Sequence, residues 1–355
     1  MSAVSSSPLR WMIYGANGYT GRLMAETAAA RGLKPLLAGR NEAALKAIAE
    51  PLGLPWKALG LDDASALREA LREIDAVMHC AGPFSTTCAP MLEACLGSAT
   101  HYLDITGEID VFAHCHAQDA RAKRAGVLVM PGAGFDVVPT DCLAAQLKRD
   151  LPDATHLVLA FEAGGGPSPG TAKTSVEGLG KGGRVRENGE LKQVPLAWKV
   201  RYFEREGVQR SAVSIPWGDV YTAYLSTGIP NIEVYMAVPP ATVKRLRRLR
   251  LLGPLLGLKP VQALLKRGVE RRVRGPSDDS RERTATWVWG EATNAAGQRV
   301  ARRLRTPNGY TLTVSAALGI IERLAAGEVP SGFHTPSQLM GAAYVCTLEG
   351  VERTA

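Results

Sequence analysis

The chain has 355 residues and a formal net charge of +8, with 46% apolar and 21% charged residues. These values exclude wholesale disorder, a collagen-like repeat and a small disulfide scaffold, and the length predicts two or three domains. No run of 18 predominantly apolar residues is present, so no spanning helix is expected. Six scattered cysteines fit a reducing compartment and a cytoplasmic location. Met1–Pro8 is Ser-rich, has no basic start before an apolar core, and reads as a frayed tail rather than a signal peptide. The basic excess is local. Residues 244–274 hold eleven Lys and Arg against Glu270 alone, a net +10 that leaves −2 for the rest of the chain. The high isoelectric point describes this one segment and does not argue for nucleic acid.

Taken in chain order, strands are predicted at Trp11–Tyr14, Pro35–Ala38, Trp56–Leu59, Ala76–Cys80, Tyr102–Asp104 and Val127–Met130. Helical spacing lies between them at Gly18–Arg31, Asn41–Leu52, Asp63–Arg72, Cys88–Leu96 and Ile109–Ala125. Strands alternating with helices imply right-handed crossovers and a doubly wound parallel sheet of the Rossmann type. After Met130 the rhythm changes. A Gly/Pro-punctuated loop leads into a helix at Thr140–Arg149. A strand-like run follows at His156–Phe161, then a glycine-rich loop and a helix at Ala172–Leu179. Further strand-like runs are Val208–Ile215, Ile232–Val238, Arg283–Thr293 and Tyr310–Ser315, with Ala296-Gly297 and Asn308-Gly309 as hairpin turns. This half reads as a second α+β domain, a mostly antiparallel sheet with helices on one face. The expected organisation is 1–135, 136–330 carrying the basic insertion, and 331–355 packing back on the first domain.

The motif that carries chemistry is Gly15-Ala16-Asn17-Gly18-Tyr19-Thr20-Gly21, directly after the first strand. Gly15 permits the sharp turn, Gly18 lets backbone approach a diphosphate, and Gly21 lets the helix pack on the sheet. Free N–H groups at the helix start then face the phosphates. The second strand ends Ala38-Gly39-Arg40-Asn41. An acidic residue there would hold a ribose hydroxyl, whereas Arg40 suits a 2′-phosphate, so NADP(H) is favoured over NAD(H). The alternative for Arg40 is a solvated charge at a helix start. The fourth strand runs into Cys80-Ala81-Gly82-Pro83-Phe84, where the turn and the Phe84 ring would wall the nicotinamide, unless it is an ordinary strand-ending turn. None of the nine tyrosines has Lys four residues later, which removes the Tyr-x-x-x-Lys mechanism of short-chain dehydrogenases.

With GANGYTG, AGRN, CAGPF, YLDITGE (Tyr102–Glu108), PGAGFDVVPTD (Pro131–Asp141) and the Gly332–Pro336 turn, the chain resembles the saccharopine dehydrogenase-like reductases over most of its length outside the basic insertion. The resemblance implies a Rossmann NADP domain joined to an α+β domain, with the last helix returning to the first. Within that family the trans-acting enoyl reductases are the nearest subgroup. That subgroup implies reduction of an activated C=C on an acyl or polyketide intermediate, free or carrier-bound. Saccharopine-type C=N chemistry and a non-catalytic NADP-binding scaffold or sensor are the alternatives.

Hydride transfer needs a proton source for the developing anion. Asp104 and Thr106 after strand five, and Asp136 after strand six, are the candidates, and burial would raise a carboxyl into the donor range. Each has a structural alternative, in tying loop amides or capping a helix. Lys173, Thr174, Ser175 and Glu177 sit where a helix start would bind a thioester oxygen, or simply meet solvent. The cations a saccharopine-type substrate needs would be Lys173, Arg184, Arg186, Lys199 and Arg201, which form no recognisable clamp in sequence. The histidines and cysteines lack paired metal-ligand spacing, so no metal is expected, and Cys88 and Cys95 read as one buried helix face. The basic insertion, leucine-rich and without aromatics, offers no base-stacking platform. Peripheral contact with anionic lipid, docking to an acidic carrier protein, and an arm covering its own domain or a homodimer mate remain open.

Overall fold

The computed structural model describes residues 9–354; the tail Met1–Pro8 lies outside the described residues. Six strands, β1 (Trp11–Tyr14), β2 (Leu36–Gly39), β3 (Trp56–Ala58), β4 (Ala76–His79), β5 (His101–Asp104) and β6 (Leu128–Met130), alternate with helices. They form a parallel sheet in the order 6-5-4-1-2-3. The chain starts at the centre, winds outward through β2 and β3, then returns across β1 to β4. Central strands such as WMIY and AVMH are buried along their whole length because helices cover both faces. The crevice at the carboxyl ends of β1 and β4 is the topological switch point where open α/β sheets bind ligands.

The second sheet is built from β7 (Ala154–Glu162), β8 (Gly183–Glu187), β9 (Glu190–Val194), β10 (Val200–Arg205), β11 (Val208–Ser214), β12 (Asn231–Ala237), β13 (Ala285–Asn294) and β14 (Arg299–Pro307). All its pairings are antiparallel except β7 with β12. The helix Val138–Asp150 lies across it through Leu143 and Leu147. The end of the chain serves both sheets. β15 (Gly332–Phe333) extends the parallel sheet beside β6, and β16 (Glu352–Thr354) pairs with β14.

Several boundaries differ from the sequence reading. The helix expected at Cys88–Leu96 begins at Phe84, and the one expected over Ile109–Ala125 breaks at Gln118. The largest difference is Tyr310–Ser315. It is the first turns of a helix, Gly309–Ala325, rather than a strand, and Asn308 is its N-cap rather than part of a hairpin turn. Asn-Gly followed by alternating β-branched residues reads locally as a hairpin. Burial decides otherwise. Leu312, Val314, Ala317, Leu318, Ile320 and Ile321 are all buried, and the helix packs against both the helix Tyr19–Ala30 and β14. A helix apolar on most of its faces, with only a narrow stripe through Thr311 and Glu322 exposed, belongs against two layers. Ala296-Gly297 is the β13–β14 turn, as expected.

The basic insertion is helical: Pro240–Leu249, Gly253–Leu256 and Lys259–Arg272. Lys266 pairs with Glu177, Glu270 pairs with Lys173 at 2.7 Å, and Gln262 donates to the Val176 carbonyl at 3.0 Å, which fastens its last helix to the helix Pro169–Leu179. Arg250 donates to the carbonyls of Leu196 and Ala197. Among the described residues no helix is long and apolar enough to cross a membrane.

Asn308 is the joint of the long helix. Its Oδ1 accepts from Tyr310 N at 3.0 Å, and its Nδ2 donates to Thr284 Oγ1 at 2.8 Å and to the Gly164 carbonyl. Asn308→Ala removes a cap and leaves buried acceptors unmade. It should lower the unfolding free energy by about 2 kcal/mol, read from the urea midpoint at unchanged slope.

Candidate functional site: a dinucleotide cleft between two sheets

The glycine-rich turn is a backbone-on-backbone contact. Gly15 has φ +84°, and a Cβ there would stand 2.7 Å from the amide nitrogen of Ala81 in the β4 loop. A Cβ on Gly21 would lie 2.3 Å from the Gly15 carbonyl oxygen. The N–H groups of Gly15 and Ala16 donate to the Ala38 carbonyl at 2.7 and 3.1 Å, which fixes the turn to β2. Gly18 caps the helix Tyr19–Ala30 without any side-chain hydrogen bond. Its first-turn N–H groups are therefore open to an anion, and there is no Cβ to hold a diphosphate away. The residues fit a dinucleotide. Asn17 lies beside Gly39, with Oδ1 2.9 Å from where a Cβ of Gly39 would be. Arg40 is exposed at the end of β2, and Asn41 accepts from Ala44 N at 3.0 Å as the cap of the next helix.

Sequence reading missed what closes over this turn. Tyr19 donates its hydroxyl to the Pro276 carbonyl at 2.6 Å, and its ring meets Tyr310 edge-on at 4.9 Å between centroids. The Arg281 guanidinium donates to the Tyr19 hydroxyl at 3.2 Å and pairs with Asp278 at 2.9 Å, with its side chain 16% exposed. The second domain thus places a cation at the rim of the phosphate turn. Sequence spacing could not find it, because Arg281 is 262 residues from Tyr19.

At the other end of the cleft the β4, β5 and β6 loops converge. Cys80 and Ala81 are half-buried, the Gly82–Pro83 bond is cis, and Phe84 is buried at the start of its helix. Glu108, another residue given no role from sequence, accepts from Phe84 N at 3.0 Å and Ser85 N at 2.9 Å. It ties the CAGPF turn to the β5 loop, and burial raises its carboxyl above the usual range. Asp104 is fully buried. Its oxygens accept from Tyr102 Oη at 2.7 Å and from the amides of Thr106 and Gly132 at 2.9 Å each, while burial lifts its pKa to about 6. Thr106 accepts from Glu108 N at 3.1 Å. Both side chains face into the loops they hold.

Asp136 differs. It is half-buried, and its carboxyl has no hydrogen-bond partner among the described residues. A Cβ on Gly107 would meet its Oδ2 at 2.8 Å. Burial first, then the neighbouring Glu108, raises its pKa to about 7. Trp217 pins its backbone carbonyl at 2.7 Å. Behind it Asp219 is fully buried with both carboxyl oxygens unpartnered, and burial raises its pKa well above the usual carboxylate range. The helix Pro169–Leu179 starts at Ser168, so Lys173, Thr174, Ser175 and Glu177 lie within it rather than at its N-terminus. Thr174 faces Glu108 at 3.5 Å. Cys88, Asp104 and Cys115 bring ligand atoms within 4.8 Å of one another. They are fully packed, Asp104 is already spent on three donors, and the sulfurs of Cys88 and Cys115 touch at 3.5 Å.

Two substitutions separate the ends of the cofactor. Arg40→Ala should weaken NADPH about tenfold or more and leave NADH nearly unchanged, since only the former carries the extra phosphate. Arg281→Ala should weaken both by similar factors, because the diphosphate is common to them. Fluorescence titration of each nucleotide checks both, and equal losses for Arg40→Ala would refute its assignment.

Residues 11–130 match the family model described as the saccharopine dehydrogenase NADP binding domain. Among curated proteins, the chain is 25% identical over 236 residues to the saccharopine dehydrogenase-like oxidoreductase of Mus musculus, covering 56% of this chain and 55% of that protein. It is 32% identical over 160 residues to a trans-acting enoyl reductase of Mycobacterium bovis, covering 41% and 37%. The chain thus spans about half the length, or less, of the curated relatives it matches. Among solved structures it resembles apo saccharopine dehydrogenase (L-Glu forming) from Saccharomyces cerevisiae, with TM-score 0.64 and 12% identity over 98% of this chain and 100% of that one. The homospermidine synthase of Legionella pneumophila in complex with NAD gives TM-score 0.62 at 10% identity, over 98% and 91%. Residues 11–130 are therefore similar to the saccharopine dehydrogenase NADP-binding domain, and the chain as a whole is folded as saccharopine dehydrogenase is.

Proposed function

We propose that this protein is an NADPH-dependent oxidoreductase that reduces the activated C=C of an acyl or polyketide-type intermediate, free or carrier-bound. The observation that carries the reading is the Asp136 carboxyl, unpartnered in the cleft and raised to about 7 by burial. A bound nicotinamide supplies a hydride there. The chain supplies the rest. Gly15–Gly21, Arg40 and Arg281 hold the nucleotide, and the Cys80–Phe84 turn, braced by Glu108, walls the reacting end. Asp136 Oδ hands its proton to the carbon that becomes anionic, while Asp104 and Thr106 keep the loops beside it in place.

The distribution of cations supports an acyl substrate over a saccharopine-type one. An amino-acid adduct with several carboxylates needs free cations. Lys173 is paired with Glu270, Arg184 with Asp110, Lys199 with Glu233 and Arg201 with Glu291. Arg186 donates to the carbonyls of Val220 and Gly189. The partial identity to trans-acting enoyl reductases points the same way.

Loss of NADPH absorbance against a panel of enoyl thioesters, ketones and imines tests the reading. Turnover is expected with enoyl thioesters, and nucleotide binding with turnover confined to imines, or with none, would sink it. A general acid acts only while protonated. The wild-type kcat should therefore fall about tenfold per pH unit above about pH 7. Asp136→Asn should lower kcat about a hundredfold or more and flatten that limb.

A further inference from the structure

Five of the eight large apolar side chains that stand exposed among the described residues, Leu251, Leu252, Leu255, Leu258 and Leu264, belong to one short stretch. Leu251 is 86% and Leu264 69% exposed. Leu251 to Leu258 form the turn between two cationic helices. On the first helix Val243 is buried and Leu246 packs against the second domain, so its outer side is Lys244, Arg245, Arg247 and Arg248. On the second helix Lys259, Arg267, Arg271 and Arg272 are exposed. None of these eight cations forms an ion pair among the described residues, and only Arg267 has an acid nearby, Glu270. Glu270, the single acid of the segment, is turned to Lys173, and Asp278 and Asp279 beyond it are paired with Arg281 and Arg283. The contrast with the rest of the molecule, whose surface cations are largely paired, marks this as a face that meets an anion.

We infer that residues 244–272 dock the protein on an anionic lipid surface, the leucine turn entering the acyl boundary and the flanking cations meeting the headgroups. Leucine beside lysine and arginine on short helices is the composition of interfacial anchors. The shape selects lipid over a folded acidic protein. The leucines stand exposed on a short turn and its flanking helix, and a fluid bilayer accepts an exposed apolar tip, whereas a protein partner would have to offer a matching hollow. Nucleic acid would leave the leucines in water and finds no aromatic platform. The segment runs directly into Gly275 and Pro276, which pack on Tyr19 of the dinucleotide turn, so the docked face is continuous with the wall of the cleft. The inference rests on exposure and charge alone and stands whether or not the acceptor is an enoyl group.

The full chain, loaded with NADPH, is sedimented with phosphatidylcholine vesicles and with the same vesicles containing phosphatidylglycerol. It should pellet with the second only, and less as salt is raised. Arg245→Gln/Arg247→Gln/Arg248→Gln should weaken binding on the order of a hundredfold, at about fivefold per cation. Leu251→Ser/Leu255→Ser/Leu258→Ser should abolish it at moderate salt. Both variants should keep the wild-type melting curve and NADPH titration, since the replaced side chains lie on the surface. In Leu255→Trp, vesicles should shift the emission of the new indole to the blue. Wild-type protein left in the supernatant with anionic vesicles would overturn the inference. So would leucine variants that pellet like the wild type, or capture of an acidic carrier protein through the leucines without vesicle binding.

Discussion

The close approach of Gly15 to Ala81 governs the rest of the molecule. β1 ends there, the chain turns through a positive φ, and Ala81 from the β4 loop fills the space a side chain would take. Gly21 brings the helix start down on the same carbonyl. Only the Ala81 methyl and main chain enter this junction, so its geometry is set by covalent dimensions and hydrogen bonds to Ala38. It fixes where the open amides point, how near the β4 loop stands, and therefore where the two ends of a dinucleotide fall.

Around that junction the second domain packs against the phosphate turn. Tyr19 is held from Pro276, Arg281 and Tyr310, all beyond the first sheet. The helix Gly309–Ala325 is buried between the layers and anchored by Asn308, and Thr313 on it accepts from Phe135 N at 2.9 Å in the crossing loop. Phe135 is the neighbour of Asp136, so the same helix that joins the domains also sets the carboxyl in the cleft. Burial is the common cause behind the chemistry there. It raises Asp104, Glu108, Asp136, Asp141 and Asp219 together. Hydrogen bonds satisfy Asp104, Glu108 and Asp141, while Asp136 alone combines an unspent carboxyl with access to the cleft. An environment of this kind separates chemically identical groups into those spent on hydrogen bonds and one left free.

Charge is partitioned with similar clarity. On the second sheet Lys199, Arg201, Arg205 and Arg299 are spent on Glu162, Glu233 and Glu291 across its strands. The surplus sits on the inserted helices, so the basic isoelectric point belongs to one face of the molecule.

The parallel sheet was legible in the residues because its signals are local: apolar runs buried on both faces, helical spacing between them, and glycines at the spacing a phosphate turn requires. Arg40 and the three candidate carboxyl and hydroxyl groups could be named for the same reason, since each follows a strand end. Asn308-Gly309 shows where local signals fail. The same dipeptide suits a hairpin or a helix start, and only the apolar surroundings of Leu312–Leu324 choose. Sequence alone determined that a dinucleotide turn exists and which strand ends surround it, because backbone conformation at glycine and the period of apolar residues are properties of neighbours along the chain. Tertiary structure decided which carboxyl stays unpartnered, which cations are already taken, and that Arg281 reaches Tyr19, because desolvation and ion pairing depend on groups brought together from opposite ends of the chain.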